Sequence, residues 1–480
     1  MYGQVSLRHY EGLNGFGMAP AQDVNELTKA LEAGYQITNQ TGGSALRVES
    51  LEASLKVVTF TNHHIKLWKK IPKSPAYSTV EEYNQLTAYG PQGAFAFTQE
   101  GELPPSTDSS YVRRTQLVKF MGTTREVTHP ATLVHPAHGD IIALENQNGI
   151  LWLLERVELA LFTADSNLAF DGEAEQWDGL DALIDATSFV DLEGQALQEA
   201  DVEEASNQIV EAYGYPTDMF LGTRELSDLV KTMYPRERVS LPAPVNGVIG
   251  QSVNSMATQA GHIEFNPDVF IRRLPTPPAA ATHPNAPASP QAVTAAAMAG
   301  ATGAFNKGAP AGTNYYSYVV TACNRFGESA PSPAMAGSVT VIQADKDALK
   351  YIPLTLTNAA SIGAFPPEYL RVYRTVATAT SGVPAAMTSY SLIAQVAAAS
   401  QAGGGTTPLN DLNFLLPFTS IAYMGELTPQ VITFRQLAPM MRLDLAVLAP
   451  AYRWQILLYG TPILFAPKKW LRMINIGRLQ

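Results

Sequence analysis

The chain of 480 residues carries 43 Asp and Glu against 32 Lys and Arg, a net charge of −11, and 46% of it is apolar. That length exceeds one ordinary core and predicts two or three domains of a folded soluble protein. The acidic balance argues against a dedicated nucleic-acid binder, which needs a basic surface to displace counterions, but does not exclude a container that merely faces nucleic acid.

The first 43 residues, rich in Gly, Asn, Gln and Thr, read as an extended arm. Val48, Leu51, Leu55 and Val58 then give a short amphipathic helix. Lys66, Lys69, Lys70 and Lys73 cluster around Trp68 and Ile71, a basic patch read first as a solvated face and second as a contact for an acidic neighbour. Ser78 to Glu81 resembles a helix capping box. Tyr77, Thr79, Val80, Tyr83, Thr87 and Tyr89 are nevertheless β-prone, and a strand is predicted.

Ala94-Phe95-Ala96-Phe97 alternates and runs into Glu100 to Asp108, a stretch of turn residues that reads as a hairpin tip. The return arm, Tyr111 to Thr128, carries Val112, Thr115, Val118, Phe120 and Val127 among Arg113, Arg114, Lys119, Arg125 and Glu126. A two-stranded ribbon with so little apolar surface cannot support itself in water. Only the helix that follows offers a matching face nearby in sequence.

That helix is predicted from an N-cap at Asp140 to about Ala164. Ile150, Leu153, Leu154, Val157 and Leu161 form one stripe, and Leu151, Trp152, Leu159 and Phe162 a second face. Glu155, Arg156 and Glu158 supply a narrow wet side, so the helix is expected to be a buried spine. Gly149 within it costs roughly 1 kcal/mol relative to Ala and weakens the expectation of one unbroken rod.

Residues 165–211 then hold fourteen Asp or Glu and no Lys or Arg. Helices are predicted at Ala200–Tyr213 and Thr223–Met233, with a short buried strand at Pro216–Leu221 between them. Residues 238–273 look β-rich, with a turn at Asn246-Gly247. Six prolines between Pro275 and Pro290 mark a linker. Beyond it, alternation at Tyr316–Ala322 and short runs at Tyr369–Thr375 and Tyr390–Val396, closed by Gly403–Gly405 and Asn410-Asp411, indicate a β-sandwich. The stretch 417–480 returns to mixed sequence. After residue 430 it has seven bases and one acid, Asp444, so the two halves of a parent domain carry opposite charge, favouring their docking or that of neighbouring copies.

No catalytic constellation emerges. His135 and His138 with Asp140 have loose metal-ligand spacing, but Pro130 and Pro136 make this a loop, and Asp140 is better explained as a cap. His63-His64 is an adjacent surface pair. Phosphate-cradling, zinc-protease and nucleophile-elbow motifs are all missing, and no cofactor is predicted. The lone Cys323 rules out dependence on an internal disulfide. The N-terminus shows no signal-peptide pattern, and the apolar stretch 445–467 is broken by Pro450, Arg453, Pro462 and Pro467, so no membrane span is expected.

The order of parts resembles the major capsid proteins of tailed bacteriophages, with the Hong Kong 97-type fold. Gly101-Glu102-Leu103-Pro104-Pro105 through Val118-Lys119-Phe120 looks like that family's extended loop, and Glu145 to Asn167 like its spine helix. Tyr213 to Asp218 with the following helix, and Gly261-His262-Ile263-Glu264-Phe265, continue the match. The segment Tyr318–Asn324 with Gly327-Glu328-Ser329 resembles fibronectin type III or immunoglobulin-like modules.

The resemblance implies an α+β chain. Its parts would be an N-terminal arm (1–75), an extended-loop hairpin (76–128), a peripheral domain with the spine helix (129–175), an axial domain (176–275), an inserted all-β immunoglobulin-like sandwich (276–415) and a return to both parent domains (416–480). It implies a non-enzymatic subunit assembling with itself into hexamers and pentamers of an icosahedral shell around double-stranded DNA, made in the host bacterial cytoplasm and ending in the virion. Glu100, Glu102, Asp108, Arg113, Arg114, Lys119 and Arg125 are its candidate inter-subunit contacts. With only some 45 weakly patterned residues before the first helix, a separate scaffold protein is expected, besides a portal, with a decoration protein as a further candidate partner. The family's Lys–Asn crosslink is not carried over to Lys119, because no partner Asn is matched. The alternatives are a secreted carbohydrate-active enzyme with a β-sandwich accessory module, disfavoured by the missing signal and the lack of paired carboxylates, and another virion part such as a tail or decoration protein.

Overall fold

A computed structural model describes residues 59–91, 97–103, 106–134, 139–170, 176–233, 253–271, 276–447 and 449–479. The predicted arm, the 48–58 helix, Ala94–Ala96, His135–His138 and the Asn246-Gly247 turn lie outside these residues. Two compact units share the chain. One is residues 1–57 with Leu133–Ile141, of which only 133, 134 and 139–141 are described; everything below concerns the other, 58–132 with 142–480.

In chain order the elements are α1 (Leu67–Lys70), β1 (Lys73–Pro75), β2 (Val80–Ala88), β3 (Ser110–Leu117), β4 (Lys119–Thr128), α2 (His129–Leu133) and α3 (Ile141–Thr163). Next come α4 (Leu180–Leu183), β5 (Phe189–Asp191), α5 (Glu199–Glu211), β6 (Asp218–Leu221), α6 (Thr223–Met233), β7 (Ser255–Thr258) and β8 (Gly261–Pro267). After these run β9 (Ala292–Ala295), β10 (Asn314–Tyr316), β11 (Tyr318–Cys323), β12 (Val339–Val341), α7 (Gln343–Asp347), β13 (Ile352–Thr357), β14 (Tyr369–Arg374), β15 (Ser391–Ala397) and β16 (Thr406–Asp411). The chain closes with β17 (Ser420–Gly425), β18 (Ile432–Asp444), β19 (Ala451–Leu464) and β20 (Trp470–Ile476).

A six-stranded sheet of order β5-β20-β17-β6-β8-β7 forms one centre. Its middle strand β6 is buried along its whole length, as a short apolar run covered on both faces must be. Met219 and Leu221 point to one face, where Val202, Ala205 and Ile209 of α5 and Leu229 and Met233 of α6 complete a core. Phe220, one residue out of phase, points to the other face and stacks on Trp470 with ring centroids 6.3 Å apart. Phe162, near the end of α3, packs there against Tyr423 at 5.5 Å. The period-two alternation of one strand thus decides which helices cover which face.

Gly425 is the residue opposite Trp470 in the β17–β20 pairing, and a Cβ added there would lie 2.3 Å from the indole ring. Gly425→Ala is therefore expected to push the fully buried Trp470 off Phe220 and cost about 1–3 kcal/mol. A lowered urea midpoint with unchanged slope would register it; an unchanged midpoint would show that the ring moves freely.

A second sheet, β1-β18-β19-β4, lies along α3. The helix runs unbroken for 23 residues, about 35 Å, straight through Gly149. The glycine is explained by proximity: a Cβ would come 2.6 Å from Ile456 Cδ1 of β19 and 3.2 Å from the Arg125 side chain of β4. Residues 276–411 occupy the interval between β8 and β17, two strands of the six-stranded sheet. They build two three-stranded antiparallel sheets, β16-β13-β9 and β11-β14-β15, whose inner faces share one core of Val293, Leu354 and Leu356 against Tyr318, Val320, Leu370 and Val372.

Several expectations need correction. Glu158 is not on a wet face: it is 0% exposed, and its carboxylate accepts the backbone N–H groups of Lys66, Leu67 and Trp68 at 2.6–2.8 Å. Trp152 and Leu159, placed on an apolar face, are instead more than a third exposed. The basic patch is not simply solvated, because Lys70 Nζ reaches Asp218 and Glu264, each at 2.8 Å, and Lys73 sits over the Trp68 ring. The proline-rich 276–290 stretch is partly tied down, with the Thr282 N–H on Glu328 O at 2.9 Å and Ser289 Oγ on Pro331 O at 2.9 Å. The expected attraction between the acidic first half and the basic tail is visible in Arg472–Asp181 at 3.2 Å and Arg478–Asp228 at 3.4 Å.

Candidate assembly surface

The ribbon is built from β2 and β3, in antiparallel register from Val80 opposite Leu117 to Leu86 opposite Tyr111. The strand paired with the return arm is thus 80–88, the strand favoured over the capping-box reading; of the expected run Ala94–Phe97 only Phe97 is described, and it lies in no strand. Glu81 Oε1 accepts the N–H groups of Tyr77 at 3.0 Å and Ser78 at 3.4 Å, but Ser78 Oγ accepts from Val80 rather than Glu81, so the reciprocal box does not close, and the β-prone residues that follow lead the chain into a strand. Residues 110–128 make one nearly continuous extended segment that changes partners at Val118. Its first half pairs with β2, and its second half, β4, pairs with β19 from Tyr459 opposite Phe120 to Ala451 opposite Thr128. Support for the return arm, sought in the spine helix alone, comes mainly from the C-terminal strands, which no local sequence reading could have supplied.

Beyond that changeover the ribbon has little to rest on. Tyr83 packs edge-on against Phe465 at 5.1 Å, and Gln85 Nε2 donates to Phe465 O at 2.6 Å. Burial pushes the Tyr83 phenol up, against the pull of Arg114. These two side chains fasten the lower ribbon to its own chain, and the sequence reading missed both. Alternation along 80–88 was the signal that would have found them. Above them Tyr89, Tyr111 and Phe97 are exposed, and Leu103 at the tip is 94% exposed. Apolar side chains of this size standing in water on an unsupported ribbon mark a surface built for a partner.

The predicted contact residues divide by position. Glu100, Glu102 and Asp108 are exposed in the tip. Arg113 forms an ion pair with Glu82 across the ribbon, and Arg114 Nε donates to Gln85 Oε1 at 3.4 Å. Lys119 and Arg125 belong to β4; Arg125 faces the spine helix and pairs with Glu145 at 3.6 Å, an internal role. Among the described residues no cluster of three or more potential metal ligands exists, and no helix is long and apolar enough to cross a membrane. His64, predicted as a surface residue, accepts the Thr61 N–H through Nδ1 at 3.1 Å.

A long buried spine helix, a sheet running along it and a ribbon that projects apolar side chains into solvent define the class: a subunit made to join others. A family model described as SU10 major capsid protein matches residues 35–286, more than half of the chain. The chain belongs to the SU10 major capsid protein family. It is similar to the major capsid proteins of Staphylococcus phage K, 29% identical over 94% of this chain and 95% of that one, and of Staphylococcus phage S25-3, with the same identity and coverage. Among solved structures it is similar to Mycobacterium phage Bobi (7% identity, TM-score 0.45, 91% and 98% of the two chains) and to the capsid of Myoviridae phage XM1 (7%, 0.40, 89% and 96%), likenesses too slight to bear on the assignment. The protein is a major capsid protein of a tailed phage, a building block of its icosahedral shell and a component of the virion, with an α+β fold as expected. The carbohydrate-active enzyme alternative finds no support.

Proposed function

We propose that the subunit forms hexamers and pentamers in which the β2–β3 ribbon lies on the adjacent copy. The observation that carries this reading is the row of exposed Tyr89, Phe97, Leu103 and Tyr111 on a ribbon whose lower part is anchored to its own chain at Tyr83 and Gln85. Glu100, Glu102 and Asp108 at the tip, with Arg113 and Arg114 below, give both signs of charge for register against that neighbour. Lys119 serves at the base, while Arg125 ties that base to the spine helix through Glu145. The role is structural and not catalytic.

The domain division stands as proposed: arm 1–75, ribbon and base 76–128, peripheral 129–175, axial 176–275, inserted sandwich 276–415 and return 416–480. The insert projects outward, since insertions survive at exposed positions, and offers a surface for a decoration protein. An inner wall without strong basic patches, in keeping with the acidic balance of the chain, lets packed double-stranded DNA slide without sticking. Assembly takes place in the host cytoplasm with a separate scaffold protein and a portal. Size exclusion and negative-stain microscopy of the purified full chain test the central claim. Hexameric rings or closed shells are expected, whereas a stable monomer at high concentration would overturn it.

A further inference from the structure

Residues 276–411 leave the six-stranded sheet after β8 and rejoin it at β17, and two folded parts of one chain move against each other by default. The return path, residues 412–419, departs from that default. Asn413 holds it to the sandwich: its Oδ1 accepts from Arg374 Nη2, and its Nδ2 donates to Ala304 O at 2.7 Å and Lys307 O at 3.2 Å. Asn475 of β20 holds it to the sheet. Its Oδ1 accepts the Leu416 N–H at 2.8 Å, and its Nδ2 donates to Phe414 O at 3.0 Å and to Asp191 Oδ1 of β5 at 2.8 Å. Asp191 closes the circuit, because its Oδ2 accepts from Lys307 Nζ of the sandwich at 2.7 Å, with Glu193 3.7 Å from the same ammonium. Burial works against the Lys307 charge, but the bond to Asp191 and the charges of Asp191 and Glu193 outweigh it and raise the pKa. Asn475 is completely buried and the Asp191 side chain nearly so, which leaves little water to replace these bonds when they break.

The backbone marks the same junction. Among the described residues six non-glycine positions have positive φ, and four of them, Glu193, Asn413, Phe418 and Asn475, fall on these segments at 54–60°. That conformation crowds Cβ against the carbonyl and persists only where surrounding contacts fix it. Glu193, Asn413 and Phe418 line one cavity of about 460 Å³ with Lys307, so three of the four lie together. Gly308 lets the return path close, since a Cβ there would come 2.6 Å from Leu416 Cδ1. Phe414 meets Phe189 of β5 edge-on, with ring centroids 5.5 Å apart. Toward the spine helix the sandwich is less closely held: Arg156, Leu159 and Thr163 face Leu392, Ile393 and Gln395 across a cavity of about 420 Å³.

We propose that the sandwich and the six-stranded sheet are one rigid body, locked by a clamp of Lys307, Asp191 and Asn475, so that the sandwich follows the sheet and not the spine helix in any rearrangement of the subunit. A swing of the sandwich must part Lys307 from Asp191. It must also break either the Asn413 bonds to the sandwich or the Asn475 bonds to the return path, and each choice leaves buried polar groups unpaired. Rigid mounting fixes where every copy in a shell presents its sandwich. The inference goes beyond the ribbon reading and stands whether or not the ribbon is the neighbour contact.

The distance between two spin labels on the full chain, diluted with unlabelled chain so that only pairs within one subunit are read, tests this. Thr355→Cys on the outer face of β13 and Glu203→Cys on α5, both exposed, carry the labels, and the native Cys323, 1% exposed, takes none. A single narrow distance is expected. Adding Lys307→Met and Asn475→Gly, in which glycine keeps the left-handed backbone while the side chain is lost, should abolish that single distance and give a broad spread. A broad spread with the clamp intact overturns the proposal, and so does a combined variant whose distance stays as narrow as before. Should the combined variant fail to fold, Lys307→Met alone, a change at a partly exposed side chain, is read in the same way.

Discussion

Removal of residues 99–110 is expected to give a subunit that folds but no longer closes into shells. The described side chains of that segment are exposed and contribute nothing to either core, and Leu103 is among the most exposed apolar residues in the chain. The deletion leaves the register from Val80–Leu117 to Leu86–Tyr111 and the Tyr83–Phe465 anchor in place. Thermal unfolding should therefore stay within a few degrees of the intact chain, since surface segments away from buried contacts change stability little. Assembly has no such reserve. Every subunit of a ring donates and receives the same contact, so losing it once per subunit removes it everywhere. Microscopy showing normal shells from the deleted chain would rule out the ribbon as the essential contact. An unfolded product would place the ribbon in the subunit's own core.

Asp411→Ala carries the largest expected loss of stability, about 3–5 kcal/mol, because it leaves a buried cation without its counter-charge. Arg374 is completely buried, with Nη1 2.6 Å from Asp411 Oδ2, and its guanidinium lies 5.4 and 5.2 Å from the ring centroids of Phe305 and Tyr316. Asp411 also accepts the Tyr318 hydroxyl at 2.8 Å and the Asn413 N–H at 2.8 Å. Burial, reinforced by the Asp411 charge, pushes the Tyr318 phenol well above its ordinary range and keeps it a donor. All these groups lie within 276–415. If that segment is a self-contained sandwich, calorimetry of the variant should show its transition moved down while that of the six-stranded sheet stays. A single transition shifted as a whole would contradict the division proposed above.

The elements most legible in the sequence were those whose burial is set by local period. Helix α6 falls on the predicted Thr223–Met233, and α3 begins directly after Asp140 and ends within a residue of the expected point. The buried strand at 218–221 was equally plain, because Met219-Phe220-Leu221 has no polar face, whereas the strand over 80–88 competed with a capping-box reading and was favoured only for the β-prone side chains of Tyr77–Tyr89. The candidate surface was only half legible. Exposed turn residues located the tip, but the outgoing arm was assigned to Ala94–Phe97, since alternation there is cleaner than along the mixed 80–88.

Composition, charge and periodicity by themselves determined the length of the spine helix, the exposed tip and the opposite charges of the two parent halves. These are properties of residues within a few positions of one another, or of sums over the chain. Tertiary structure alone decided that Glu158 is buried under three amides from ninety residues earlier, that Gly149 makes room for β19, and that β4 rests on strands more than three hundred residues away. A carboxylate reads as solvated and a glycine as a weak point until the partner that uses it is brought close. Only the folding of distant segments onto one another supplies that partner.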